Sequence, residues 1–187
     1  MIISVGLLQN TLDLSGLNGY KEKKLRLYDT SALVNSGDEF INNLTANESV
    51  PVIPDFIYRQ LRKVTFKKTE NIRRIILTFL RHRGLENFIF LKTPFDDETF
   101  NVNDYVESKR VKMIITSAAT RNEREVYEDG SFKRKVDYKD AMLLTLFYIL
   151  RVNGFNAVIA SNDMKVIKGK DNIAALLENI NNQQISF

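Results

Sequence analysis

The sequence predicts an α/β fold built on a mainly parallel sheet covered by helices. Two observations carry this expectation. Short β-like apolar runs alternate with helix-length segments along the chain, and 44% of the 187 residues are hydrophobic, enough to fill one ordinary core. With 27% charged residues the composition is globular, and the length suits one domain.

The elements follow in order. Residues 1–24 are set apart as an N-terminal extension, and residues 25–187 as the domain proper. Leu25–Tyr28 reads as the first strand and runs into Asp29-Thr30-Ser31-Ala32-Leu33. Val50–Pro54 is a second strand, and Pro54-Asp55 opens a helix over Asp55–Val64, because proline and an acid both suit a helix start. In Asn71–Arg81, Ile72, Ile75, Ile76, Phe79 and Leu80 fall on one stripe at helical spacing, and Gly84 ends that helix. Phe88–Leu91 is a third strand. Residues 93–136 are expected to form an insertion or lid. It holds a helix over Glu107–Ala119 and a β-hairpin over 125–136, turning at Asp129-Gly130, a pair suited to a type I′ turn. Lys139–Val152 is apolar on most sides and predicts a buried helix ended by Gly154. Ala157–Ala160 is a further strand, Asn172–Ile180 a last helix and Ile185–Phe187 a short edge strand.

Composition excludes several chemistries. The chain has no Cys, which removes disulfide scaffolds, cysteine nucleophiles and thiolate metal sites. Its one His, His82, cannot build a multi-histidine metal centre and sits among arginines as a surface residue. Chemistry must therefore run on carboxylates, hydroxyls, amines or a metal held by oxygen. No run approaches the roughly 20 apolar residues of a membrane span. Met1–Leu8 is apolar without a basic leader, so no secretory signal is expected and a cytoplasmic protein is the reading.

Three aspartates fall where chemistry is expected. In open α/β sheets ligands bind beyond the carboxyl ends of the strands. Asp29 follows the first strand and Asp163 follows Ala157–Ala160. From Asp140 to Arg151 a helix travels about 18 Å away, and six extended residues, Asn156–Ser161, return about 20 Å, so Asp140 and Asp163 should end on one rim. A lone aspartate after a strand is ordinarily a turn residue or helix cap. Three on one rim repel each other, and a hard cation such as Mg²⁺ or Mn²⁺ resolves that repulsion with oxygen ligands alone. Such a cation can activate water or bridge the attacking and leaving oxygens in phosphodiester cleavage.

These residues resemble the PIN-domain superfamily of metal-dependent nucleases. The resemblance runs through Leu25–Leu33, then Val50–Pro54 with the helix ending Arg59-Gln60-Leu61, then Asp140-Ala141-Met142-Leu143-Leu144, then Ala157–Asp163. It covers most of residues 25–175 in the family's order. It implies a Rossmann-like three-layer α/β/α sandwich (PIN-like) whose acidic pocket binds Mg²⁺ or Mn²⁺ and cleaves RNA, usually single-stranded. Asp29, Asp140 and Asp163 would be the catalytic, metal-holding carboxylates. Thr30 and Ser31 would orient Asp29, and Ser161 would orient Asp163. Inhibitor proteins block such pockets in toxins of this family, so an inhibitor or assembly protein is an expected kind of partner, as is a second copy of the chain; a membrane is not.

One departure from the pattern matters. The family usually carries a Glu where this chain has Gln60, which keeps an oxygen and loses a charge. Asp137, one helical turn before Asp140, could supply that charge and join the metal set; Asp55 and Asp38 are weaker substitutes.

The net charge is +4, and its distribution is more telling than its size. Arg59, Arg62, Lys63, Lys67, Lys68, Arg73, Arg74, Arg81 and Arg83 cluster against a single acid, Glu70. Such a stripe attracts phosphate backbones with little sequence preference, and Arg59 to Arg74 are the expected RNA contacts. Lys109, Arg110 and Lys112, then Lys133, Arg134 and Lys135, form further clusters, and Tyr127 and Phe132 could stack on unpaired bases. Two functions follow: a Mg²⁺- or Mn²⁺-dependent endoribonuclease, or a catalytically degenerate RNA-binding or assembly protein on the same fold, for which Gln60 is the motive.

Overall fold

A computed structural model describes residues 1–8, 11–35, 40, 48–63, 67–81, 88–126 and 132–184. The chain forms a Rossmann-like α/β/α sandwich. Nine strands are described: β1 (Ile2–Ser4), β2 (Gly6–Leu8), β3 (Thr11–Asp13), β4 (Lys24–Tyr28), β5 (Val50–Pro54), β6 (Ile89–Lys92), β7 (Thr120–Val126), β8 (Phe132–Val136) and β9 (Asn156–Ala160). The α-helices are α1 (Thr30–Asn35), α2 (Asp55–Lys63), α3 (Lys67–Arg81), α4 (Lys109–Ala119), α5 (Tyr138–Val152) and α6 (Met164–Gln184).

The central sheet has the order β1-β6-β5-β4-β9, and every neighbouring pair is parallel. Helices α1, α2 and α3 contact one another, as do α4, α5 and α6, and the two groups flank the sheet. Val50–Pro54 of β5 and Ile89–Leu91 of β6 are buried on both faces, which accounts for their continuous apolar sequence. Strand β5 carries two prolines yet lies inside the sheet. Pro51 is paired only with β4 and Pro54 only with β6, positions where a missing N–H is tolerated.

The beginning of the chain is not an appendage. Strand β1 pairs with β6, the terminal ammonium donates to the Phe88 carbonyl at 2.6 Å, and Ile3, Val5, Leu14 and Leu17 enter the common core. The apolar segment Ile2–Ser4 is an edge strand, too short for its alternation to be legible. Residues 93–136 are likewise only partly peripheral. Helix α4 buries Val111, Ile115, Ala118 and Ala119 in the same core, while β7 and β8 form a separate antiparallel hairpin. The expected hairpin over 125–136 extends back to Thr120, and its expected turn at Asp129-Gly130 lies outside the described residues.

Helix boundaries moved for identifiable reasons. The last helix starts at Met164, not Asn172, because Asp163 caps it by accepting from Lys165 N at 2.8 Å. Its early turns contain Gly169, which discourages a helical reading. A Cβ there would lie 2.9 Å from Ala118 Cβ and 3.0 Å from Leu144 Cδ1, so this glycine permits close packing of α6 on α4 and α5. Helix α5 begins at Tyr138 with Asp137 as its cap, and ten of its residues, Asp140–Phe147, Ile149 and Leu150, are buried. Gly154 ends it at φ 82°, a conformation that suits glycine. Asp38, His82, Arg83, Gly84, Tyr127 and the expected edge strand Ile185–Phe187 lie outside the described residues. Among the described residues no helix is long and apolar enough to cross a membrane.

Candidate functional site

The site forms at the carboxyl edge of the sheet, where neighbouring strands β4 and β9 stop together. Tyr28 pairs with Ala160, and the Asp29 amide donates to the Ala160 carbonyl at 2.9 Å, so Asp29 and the turn Ser161–Asp163 emerge side by side. Helix α5 brings its first turn to the same place. The Asp137 amide donates to the Ala119 carbonyl at 2.8 Å, and the Asp137 carboxylate accepts from the Lys139 amide at 3.0 Å. Asp140 follows in that turn and is buried.

Hydroxyls fix Asp29. Its Oδ2 accepts from Ser31 Oγ at 2.6 Å and from Ser161 Oγ at 2.7 Å. Ser161 also accepts from the Asp163 amide at 3.0 Å, and Ser31 from the Asn162 amide at 2.9 Å. Ser31 thus contacts the Asp29 carboxylate, whereas the Ser161 hydroxyl bonds the Asp29 carboxylate and only the backbone of Asp163. Thr30 does not orient Asp29 either. Its Oγ1 donates to Gln60 Oε1 at 2.6 Å, because the first residue of α1 faces α2.

The residue that sequence reasoning missed is Arg121, on β7. Its Nη2 lies 2.7 Å from Asp140 Oδ2 and 2.8 Å from Asp137 Oδ2, and its Nη1 lies 3.1 Å from Asp163 Oδ2. One signal could have located it. Had the hairpin been extended back to Thr120, the pairing of Thr120 with Val136 would have brought Arg121 beside Asp137. Among the described residues, no group of three or more acidic or histidine side chains is arranged to hold a metal ion in this conformation. The position between the aspartates is taken by the guanidinium.

The charges do not balance, and the pKa values register it. Burial foremost, then the Asp137 carboxylate, push Asp140 up to about 8; Asp29 and Asp163 add to this and Arg121 only partly opposes it. Burial also acts against ionised Asp163, but the Lys165 amide and the Arg121 guanidinium outweigh it and hold Asp163 below the usual carboxylate value. For Arg121, burial disfavours the cation, and the carboxylates of Asp137, Asp140 and Asp163 overcome it and raise the pKa further.

The other named residues lie apart from this cluster. Asp55 accepts from the Thr93 amide at 3.1 Å and the Thr93 hydroxyl at 2.8 Å and pairs with Arg59 at 2.7 Å, so its charge is spent tying α2 to the end of β6. Arg59 also bonds the Phe95 carbonyl at 3.0 Å. Arg73 pairs with Glu70, while Arg62, Lys63 and Arg74 are exposed. Lys67 and Lys68 open α3, and Lys133, Arg134 and Lys135 lie on β8.

Comparison with protein-family models, with curated proteins and with solved structures gives no match to this chain. Fold and site together define an α/β sandwich with an aspartate cluster at the strand ends and an internal arginine among the carboxylates.

Proposed function

We propose that the chain is a PIN-like, Mg²⁺- or Mn²⁺-dependent endoribonuclease acting on single-stranded RNA in the cytoplasm. The observation that carries this reading is the sharing of one cationic group by Asp137, Asp140 and Asp163, with Asp29 held beside them. A divalent cation fits this set by its chemistry. Every donor is a carboxylate or hydroxyl oxygen, and a positive charge already stands among them.

Asp29, Asp140 and Asp163 would hold the ion, with Asp137 at the margin. When bound, such an ion supplies an activated water and charge stabilisation for phosphodiester cleavage. The chain's own contribution is positioning. Ser31 and Ser161 lock the Asp29 carboxylate, and the N-terminus of α6 locks Asp163 through Lys165 N. Asp140, pushed to about 8, carries a proton at its carboxyl near neutral pH that a cation would have to displace. Exposed Arg62, Lys63 and Arg74 offer charge to a phosphate backbone.

The test is cleavage of single-stranded RNA with and without Mn²⁺. Metal-dependent cleavage that disappears in Asp29→Asn is expected; metal-independent cleavage, or full activity in that variant, would overturn the reading. A second reading, an RNA-binding or assembly protein with a degenerate site, draws on Gln60, whose Oε1 is occupied by Thr30. Cleavage that appears only in Gln60→Glu would favour it.

A further inference from the structure

Arg121 makes the most highly charged set of contacts in the site, and the proposed cleavage chemistry assigns it no part. Its guanidinium is directed at Asp140 Oδ2, Asp137 Oδ2 and Asp163 Oδ2, at 2.7, 2.8 and 3.1 Å. A Mg²⁺ ion would need such oxygens at about 2.1 Å, a distance at which it would collide with and be repelled by a guanidinium already seated on them. The side chain is 29% exposed, so it is not sealed in and has a path to solvent. No protonation change can remove the conflict, because the guanidinium stays charged at every accessible pH.

We propose that Arg121 is a built-in counter-cation that competes directly with the divalent ion for Asp137, Asp140 and Asp163, so that metal loading requires the guanidinium to leave. This rests on the metal-site reading above. The consequence is a threshold. At low divalent concentration the aspartates are partly neutralised by Arg121, and the cluster stays assembled without metal. Above the threshold Arg121 would give up these oxygens, and Asp137, Asp140 and Asp163 would be free to hold the ion. A site of this construction holds its metal more weakly than its carboxylates alone would.

The experiment is a Mn²⁺ titration of the whole chain and of Arg121→Gln, followed by the electron paramagnetic resonance of free Mn²⁺, with circular dichroism to verify folding. Removing a competing set of charge-assisted hydrogen bonds should tighten Mn²⁺ binding about tenfold or more. Equal affinity in both proteins, or weaker binding in Arg121→Gln, overturns the competition and leaves the metal site standing. Absence of binding in both overturns the metal-site reading and the competition with it. Should Arg121→Gln fail to fold, the unaltered protein decides. Its Arg121 Nε–H resonance should shift during a Mg²⁺ titration with the midpoint of metal binding, and a resonance that stays fixed while metal binds refutes the exchange.

Discussion

Ser161 Oγ donates to Asp29 Oδ2 at 2.7 Å across 132 residues of sequence, while accepting from the Asp163 amide at 3.0 Å. One hydroxyl therefore joins the ends of β4 and β9 and serves two aspartates. Ser161→Ala leaves the Asp163 amide without that acceptor and Asp29 Oδ2 with only Ser31, and should cost about 1–3 kcal/mol in urea unfolding. Ser31 donates to the same oxygen, so the two hydroxyls are coupled. Ser31→Ala with Ser161→Ala should cost more than the sum of the single changes, because only the double variant strips Oδ2 of both donors. A strictly additive cycle would refute the sharing.

Asp140 gives the site a pH signature. Its folded-state pKa is pushed to about 8 from an ordinary value of 3.8. Between these values the folded protein holds a proton that the unfolded chain has released. The stabilisation from this group is therefore complete below about pH 4 and is lost as pH rises toward 8, with a limiting slope of about 1.4 kcal/mol per pH unit. In metal-free buffer, Asp140→Asn should gain stability relative to the unaltered protein as pH goes from 5 to 8. Melting temperatures measured in parallel test this, and His82 cancels because both proteins carry it. A difference independent of pH would refute the raised pKa.

Gly169 tests the packing beneath the site. Replacing an exposed helical glycine with alanine ordinarily stabilises by up to about 1 kcal/mol. Here the new methyl would stand 2.9 Å from Ala118 Cβ, and α4 or α6 would have to shift. Gly169→Ala should instead destabilise by about 1–3 kcal/mol in denaturant unfolding.

Thr145 is the converse case. It is fully buried in α5, and its hydroxyl has no hydrogen-bond partner among the described residues. Burying an unpaired hydroxyl is costly, and valine fills nearly the same volume without it. Thr145→Val should raise stability by about 1 kcal/mol. A loss of stability would indicate an unrecognised polar contact.

The convergence of Asp29, Asp140 and Asp163 was legible because each sits at a strand end or helix start, and the lengths of α5 and β9 return the chain to its starting edge. Apolar runs of four or five residues announced β5 and β9, and the alternation of Leu25 and Leu27 with Arg26 announced β4. Strand β1 did not, because Ile2–Ser4 is too short to show a period and its pairing with β6 spans most of the first half of the chain. The early turns of α6 were hidden by Gly169, whose role is set by Ala118 and Leu144 and not by local propensity. Arg121 was hidden twice over. Thr120–Val126 is a polar strand with no apolar alternation, and the partners of Arg121 lie 16, 19 and 42 residues away. Thr30 and Ser31 look equivalent as hydroxyls following Asp29, and only the approach of α2 separates their partners.

The basic helices separate by what already occupies their charges. Arg59 is tied to Asp55 and the Phe95 carbonyl, and Arg73 to Glu70, while Arg62, Lys63 and Arg74 stand exposed. If the proposed RNA contact uses this face, each exposed charge that meets a phosphate releases counterions and adds about 0.7 to the slope of log affinity against log salt on a single strand. Arg62→Ala, Lys63→Ala and Arg74→Ala should each weaken single-stranded RNA binding and flatten that slope by a comparable step. Arg59→Ala should act mainly on stability, because it removes the bond from α2 to the Phe95 carbonyl beyond β6 and the ion pair that steadies Asp55. Fluorescence anisotropy with a labelled oligoribonucleotide across a salt series distinguishes these outcomes. A slope unchanged in all three exposed variants would remove this face from the RNA path.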